Sequence, residues 1–244
     1  MFNDIKSYFR SNPLALTFAS MLVSIICYRM IFSWVVALGF TVSLLIHEMG
    51  HFYAAKRQKI DVTVPVFIPY LGALINFKEN PYNAEQEAYI GIAGPIAGTL
   101  AAFASYGLFL LTGYTPFLTI AILGSFLNLF NLIPLSPMYG GRTVTVITPW
   151  LWLLGAAMLI GAMFWFKSIV ILLIGFFGFQ QIRTVLFDSA YKTGSLSAYY
   201  KSSWKTKVLY SSIYLGLIGL LVCLLMICAS NPVISNTVAQ YLPR

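Results

Sequence analysis

Charge is scarce in this sequence. Only 9% of its 244 residues are Asp, Glu, Lys or Arg, and it holds just seven acids and two histidines. A water-soluble domain is about 25% charged and about 45–50% apolar. This chain is 59% hydrophobic, with a mean hydropathy of +0.81. It lacks the polar surface to cover a soluble globule, which excludes a cytosolic enzyme and a disordered tail. Cysteine is also scarce: Cys27, Cys223 and Cys228 all lie in apolar stretches without metal-type spacing. An odd number in such places excludes a disulfide scaffold and reads as small buried apolar residues. A polytopic membrane protein remains.

The 15 Lys and Arg outnumber the acids and give a net charge of +8. They are scattered between apolar runs, so they point to cationic loops beside anionic lipid head groups and not to nucleic acid. Lys6 and Arg10 precede an apolar run from Leu14 to Cys27 in the manner of a signal peptide. No small-x-small cleavage site follows, so the run is expected to be a retained first span.

A span needs about 20 apolar residues. The sequence predicts an all-α polytopic protein with seven transmembrane helices, at 14–28, 31–55, 84–111, 116–133, 149–166, 168–182 and 208–229; six is the alternative. With the N-terminus in the cytoplasm, the inner segments carry Lys6, Arg10, Lys56, Arg57, Lys59, Lys78, Arg142, Arg183, Lys192, Lys201, Lys205 and Lys207. The outer segments carry only Arg29, Lys167 and Arg244. That asymmetry agrees with the positive-inside rule. Two inner loops stand out. Residues 61–68, Asp-Val-Thr-Val-Pro-Val-Phe-Ile, are β-branched and read as a short extended strand, which Pro65 confines to an edge. Residues 183–207 are basic and rich in Ser and Tyr, and read as a flexible cytoplasmic segment.

Both histidines of the chain fall in His47-Glu48-Met49-Gly50-His51. On a helix, positions i and i+4 share a face, so both imidazoles can reach one metal ion. Glu48 can then approach the open coordination position and serve as general base on a water. This is the H-E-x-x-H arrangement of zinc metalloproteases. The alternative is a polar helix end with incidental histidines. Residues 35–46 are almost wholly apolar, however, and an ionisable group in a membrane costs a few kcal/mol unless it is paired or bound. Metal binding is therefore the stronger reading.

A second constellation runs from Asn128 through Asn131, Pro134 and Pro137 to Tyr139, Gly140, Gly141 and Arg142. Its prolines and Gly pair are expected to end the fourth span and leave irregular backbone at membrane depth. Such backbone persists only when buried in protein or lining a wet cavity. An ordinary span terminus is the plainer alternative.

Together these motifs resemble the site-2 protease family of intramembrane zinc metalloproteases. The family's H-E-x-x-H helix and its later N-x-x-P-x-x-P-x-D-G-G-type segment map here in order. Ala93-Gly94-Pro95-Ile96-Ala97-Gly98 resembles the small-residue motif of the next core helix, and Phe67–Gly72 resembles the strand loop of short bacterial members. The resemblance covers roughly residues 35–145. It implies a single membrane domain over 1–244, with a protease-like core at 31–145 and further spans and a basic loop at 146–244. It implies a bacterial cell membrane as the location, and Zn2+ held by His47 and His51 with Glu48 as catalytic base. Asn128, Asn131, Gly94, Gly98, Pro137 and Gly140 would line the site. The substrate would be a transmembrane protein or peptide, received by strand addition at the 61–68 loop, with membrane lipid around it; the sequence does not fix the oligomeric state.

One position departs from the family pattern. Its third metal ligand is the Asp of P-x-D-G-G, and here that position is Tyr139. Catalytic zinc normally has three protein ligands and a water. Three readings stand open. Tyr139 ligates as a phenolate; another carboxylate, from Glu79, Glu85 or Glu87, substitutes; or the chain is a protease impaired by an inactivating substitution or a pseudoprotease relative that binds transmembrane helices without cutting them. A small transporter using Asn128, Asn131 and Glu48 is a weaker reading, because it leaves the H-E-x-x-H spacing unexplained.

Overall fold

The structure is a computed structural model that describes residues 12–166 and 198–234, and between them positions 175, 176, 178, 179, 182, 183 and 187. The span expected at 168–182 and the first part of the 183–207 loop lie largely outside the described residues. The chain divides into two compact units: residues 1–80, 96–126 and 221–244, and residues 81–95 with 127–220.

In the first unit, α1 (Pro13–Arg29) packs on α2 (Trp34–Arg57). Ser33 caps α2 by accepting a hydrogen bond from the Val36 amide at 3.3 Å, and Lys56 and Arg57 close its last turn. Both features suit the helix dipole. The sequence of α2 is an inside-out amphipathic helix. Ala37, Thr41, Leu44, Glu48, His51 and Ala55 are buried at alternating steps of four and three, while Val35, Leu38, Val42, Ile46 and Tyr53 are exposed. For a helix in lipid this is the expected sense, because the apolar side chains face hydrocarbon and the polar ones face protein. Thr41 and Ser43 donate back to the carbonyls of Ala37 and Gly39 at 2.8 and 3.0 Å, so neither hydroxyl is left without a partner.

The expected strand is present as one arm of a hairpin. Strand β1 (Val66–Ile68) pairs antiparallel with β2 (Gly72–Leu74), with Phe67 opposite Ala73. A further bridge joins Val62 to Phe77. The register changes by one residue between these pairings, which places a bulge near Pro65, where no amide can enter the ladder. The hairpin is strapped to α1. Thr17 Oγ1 donates to Pro65 O at 2.7 Å, Phe67 N donates to Ser20 Oγ at 3.1 Å, and Tyr70 OH donates to Cys27 O at 2.9 Å. The remaining parts of this unit form a small apolar core of Ala102, Phe109, Leu118, Ala121, Leu224 and Cys228. These residues come from α3 (Ala84–Thr112), α4 (Thr115–Asn131) and the last described long helix, Trp204–Ala229.

The second unit holds the start of α3, capped by Asn83, whose Oδ1 accepts from the Gln86 amide at 2.8 Å. Gln86 Oε1 in turn accepts from the Tyr82 amide at 2.8 Å, a reciprocal arrangement that fixes the helix start. The unit continues with the end of α4, the short helix α5 (Tyr139–Val144), helix α6 (Leu151–Phe166) and the first part of α7, the Trp204–Ala229 helix. Helix α4 stops at Asn131, two residues before its expected end, because Pro134 disfavours helical backbone just ahead of it.

The chain is thus mostly helical with one small antiparallel sheet. Among the described residues, Trp34–Arg57, Ala84–Thr112 and Trp204–Ala229 are long and apolar enough to cross a membrane. Pro13–Arg29, Thr115–Asn131 and Leu151–Phe164 are shorter apolar helices.

Candidate metal centre

The site begins on the fourth and fifth turns of α2. One helical turn separates His47 from His51, and both rings turn inward, at 1% and 0% exposure. Their Nε2 atoms stand 3.1 Å apart, and the ring planes cross at 73°. Two lone pairs aimed at each other repel, so a proton or a cation must lie between them. Two imidazole nitrogens bound to one tetrahedral zinc at about 2.0–2.1 Å would be separated by roughly 3.3 Å. The observed spacing matches this to within a few tenths of an ångström, so the pair fits a metal. Glu48 follows on the same buried face at 2% exposure.

The donor set is not completed by a further acid. Among the described residues, no group of three or more His, Cys, Asp or Glu side chains could hold a metal ion. This weakens the substitution of Tyr139 by Glu79, Glu85 or Glu87. Glu87 donates nothing to such a cluster; its Oε2 accepts the Tyr199 hydroxyl at 2.9 Å.

The second constellation lies in the other unit. Tyr139 is half-buried at the first position of α5, and its carbonyl accepts the Thr143 hydroxyl at 3.0 Å. Asn128 is 1% exposed, whereas Asn131 donates from Nδ2 to Leu127 O at 3.1 Å, within its own helix. Pro137 is exposed, and Gly94 and Gly98 are buried on α3. The Gly pair was expected to break a helix, and here the structure differs: Gly140 and Gly141 lie inside α5. A Cβ on Gly140 would stand 2.3 Å from Leu132 O, and one on Gly141 would stand 2.6 Å from Ser136 N. The glycines let a helix press against irregular backbone. The break itself is made by residues 132–138.

The sequence reading missed several polar partners of this region. Trp152 Nε1 donates to Gly141 O at 2.9 Å, and the Tyr214 hydroxyl donates to Leu132 O. The first ties α6 to a carbonyl of α5, and the second ties α7 to the carbonyl just past the end of α4. A buried indole must find an acceptor, which is the one signal the sequence offered for Trp152. A cavity of about 420 Å³ beside Pro134 has Ser211 and Tyr214 as its polar lining residues and no ionisable acid or base to work with besides that phenol.

Among the described residues outside the membrane-spanning helices, Asp61 and Tyr199 have shifted titration. The Lys56 ammonium, 2.7 Å from Asp61 Oδ1, holds the Asp61 carboxyl below its ordinary value. Burial, and then the neighbouring Glu87 carboxylate, push the Tyr199 phenol well above its ordinary value.

A helical, apolar chain that buries an H-E-x-x-H pair on one helix face carries the arrangement found in zinc metallopeptidases. Comparison with known proteins points the same way. The model of Peptidase family M50 matches residues 35–120. The zinc metalloprotease MJ0392 of Methanocaldococcus jannaschii is 33% identical over 111 residues, covering 43% of this chain and 32% of that protein. The probable zinc metalloprotease EGY1, chloroplastic, of Oryza sativa subsp. japonica is 35% identical over 86 residues, covering 33% of this chain and 15% of that protein. The chain therefore spans a third or less of the length of these curated relatives. Among solved structures, the site-2 protease from Methanocaldococcus jannaschii aligns with a TM-score of 0.44 at 23% identity, covering 84% of this chain and 88% of that one. Residues 35–120 thus match Peptidase family M50, and the relatives that share this part of the chain are named zinc metalloproteases.

Proposed function

We propose that the chain is an intramembrane zinc metalloendopeptidase that hydrolyses peptide bonds in or near transmembrane segments of other membrane proteins. The observation that carries this reading is the buried His47–His51 pair with Nε2 atoms 3.1 Å apart, followed on the same face by Glu48. His47 and His51 would hold the metal. Zinc, when bound, supplies Lewis acidity toward a water and toward the scissile carbonyl. Glu48 takes the proton of the attacking water on its carboxylate and returns it to the leaving amide nitrogen. Its burial, at 2% exposure, keeps that carboxylate out of bulk solvent.

Substrate alignment by strand addition is supported by the hairpin. Pro65 O and Phe67 N point out from the β1 edge and are already engaged by Thr17 and Ser20. On the β2 side, Ala73, half-buried and opposite Phe67, makes no hydrogen bond outside the hairpin among the described residues. Unpaired edge groups of this kind are what an extended peptide uses to add a strand. Gly72 lies beside Leu44, one turn before His47 and Glu48, with 3.8 Å between its Cβ position and Leu44 Cδ2. The β2 edge is the receiving edge in this reading. The same reading assigns seven spans, a cytoplasmic N-terminus, a bacterial cell membrane and one membrane domain with its core at 31–145.

A second reading is favoured by Tyr139, which stands where the family has its acid ligand. It makes the chain a pseudoprotease that binds transmembrane helices without cutting them. The test is cleavage of a single-span model substrate in lipid nanodiscs, with zinc content measured alongside. The protease reading expects cleavage by the unaltered chain, with Glu48→Gln slowing it about 100-fold or more at unchanged zinc content. Equal residual cleavage by the two proteins removes Glu48 from its role. Negligible zinc, with substrate association that survives chelators, establishes the pseudoprotease.

A further inference from the structure

The five residues Ala198 to Ser202 reach α5 and its supports at three points. Tyr199 OH donates to Glu87 Oε2 at 2.9 Å, across 112 residues of sequence. Ser202 Oγ donates to Val146 O at 2.6 Å, just past the end of α5. Between them the Tyr200 ring meets Trp152 edge-on, with centroids 6.1 Å apart, and Trp152 holds Gly141 O at 2.9 Å. The Arg142 guanidinium is close enough to act electrostatically on both Glu87 and Tyr199. Arg142 sits in α5, three positions after Tyr139.

Helix α3 brings Glu87 to this place through direct contact with α5. A Cβ on Gly91, one turn after Glu87, would lie 3.0 Å from Thr143 Oγ1, 3.1 Å from Arg142 Cβ and 3.2 Å from Tyr139 O. The Glu87–Gly91 face of α3 is therefore seated on α5 with no room for a side chain between them. A helix of six residues has too few internal hydrogen bonds to hold its own position. Its place must be set by such external contacts.

We propose that residues 198–202 form a clasp that positions α5, and with it residue 139, through the Tyr199–Glu87–Arg142 chain and the Ser202–Val146 bond. Tyr199 and Glu87 are positioning residues: they act on the segment that carries the ligand position and not on substrate. The clasp lies within the basic 183–207 stretch, so any partner that draws Tyr199 away from Glu87 loosens α5. The consequence for catalysis rests on the protease reading; the positioning of α5 does not.

The experiment is hydrogen exchange by mass spectrometry on the full chain in nanodiscs, comparing the unaltered protein with Tyr199→Phe, Glu87→Gln, the double variant and Ser202→Ala. Tyr199→Phe keeps the ring and removes only the donor, and Ser202→Ala tests the clasp at its other end. The expected result is exchange about tenfold faster over residues 140–146 in Tyr199→Phe and Glu87→Gln, which remove a hydrogen bond to a charged group, and several-fold faster in Ser202→Ala, which removes a neutral one. Residues 44–51 should be unchanged, and the double variant no faster than the faster single one. Cleavage, read in the unaltered and the Tyr139→Asp backgrounds, should lose several-fold in kcat at constant KM. Unchanged exchange over 140–146, or additive effects of Tyr199→Phe and Glu87→Gln, overturns the clasp. Faster local exchange in a protein that cleaves nothing in either background supports the clasp and counts against the protease reading alone.

Discussion

Tyr139 is the residue on which the chemistry turns. In the proposed site the two histidines would provide two of the three protein ligands that a catalytic zinc usually has, and among the described residues no third His, Cys, Asp or Glu joins them in a group that could hold a metal. Tyr139→Asp is expected to tighten zinc binding by about tenfold or more, since even outer-shell partners are worth 10–100-fold. A competitive chelator titration measures this; an unchanged affinity would mean that position 139 is not a ligand position. Asp61 shows a weaker, solvent-facing effect. Its carboxyl is held below its ordinary value, first by the hydrogen bond from Lys56 and then by the charges of Lys56 and Lys78. A depressed carboxyl contributes stability that is fully present above its unfolded pKa and is lost as pH falls through the folded one. Acidification from pH 7 to about pH 3 should therefore lower the thermal midpoint slightly more in the unaltered chain than in Asp61→Asn. The pair is exposed, so the difference should be small and should shrink in salt.

At the scale of elements, α2 carries its own instructions. Its buried and exposed stripes are separable in the sequence because polar and small residues recur at helical spacing within an apolar run. The α4–α5 junction is different. Prolines announced a break, but whether Gly140 and Gly141 made the break or packed against it depended on backbone brought in from Leu132 to Ser136. Gly140→Ala should therefore destabilise the protein by about 1–3 kcal/mol, the usual cost of overpacking, or prevent folding outright. Gly107→Ala is the control, because a Cβ there meets nothing within 4 Å. That change should be neutral or stabilising by up to about 1 kcal/mol. Thermal unfolding in nanodiscs compares the two, and equal effects would show that α5 does not press on the 132–136 backbone. The hairpin was half legible: β-branched residues marked the first strand, while Gly72–Leu74 offered little signal of its own. Nothing local indicated that hydroxyls of α1 would occupy the β1 edge, 48 and 47 residues away.

For the whole molecule, the cations decide orientation. A cysteine placed at Asp61 or Lys78 should be labelled only from the cytoplasmic side, and one at Ser33 only from the opposite side, by membrane-impermeant maleimide. The reverse pattern would invert the proposed topology without touching the metal centre. The apolar excess determined by itself that the chain is a membrane protein, because no arrangement of so few polar groups can cover a soluble surface. The spacing of His47, Glu48 and His51 likewise determined a shared helix face, because that geometry is local to one turn and a third. What tertiary structure alone decided is how the irregular segment is held. Trp152, Tyr199, Ser202 and Tyr214 find carbonyls and a carboxylate across 11 to 112 residues. Such partners carry no period or spacing in the sequence. They are selected only when packing excludes water and each buried polar group must take whichever partner the fold brings within reach.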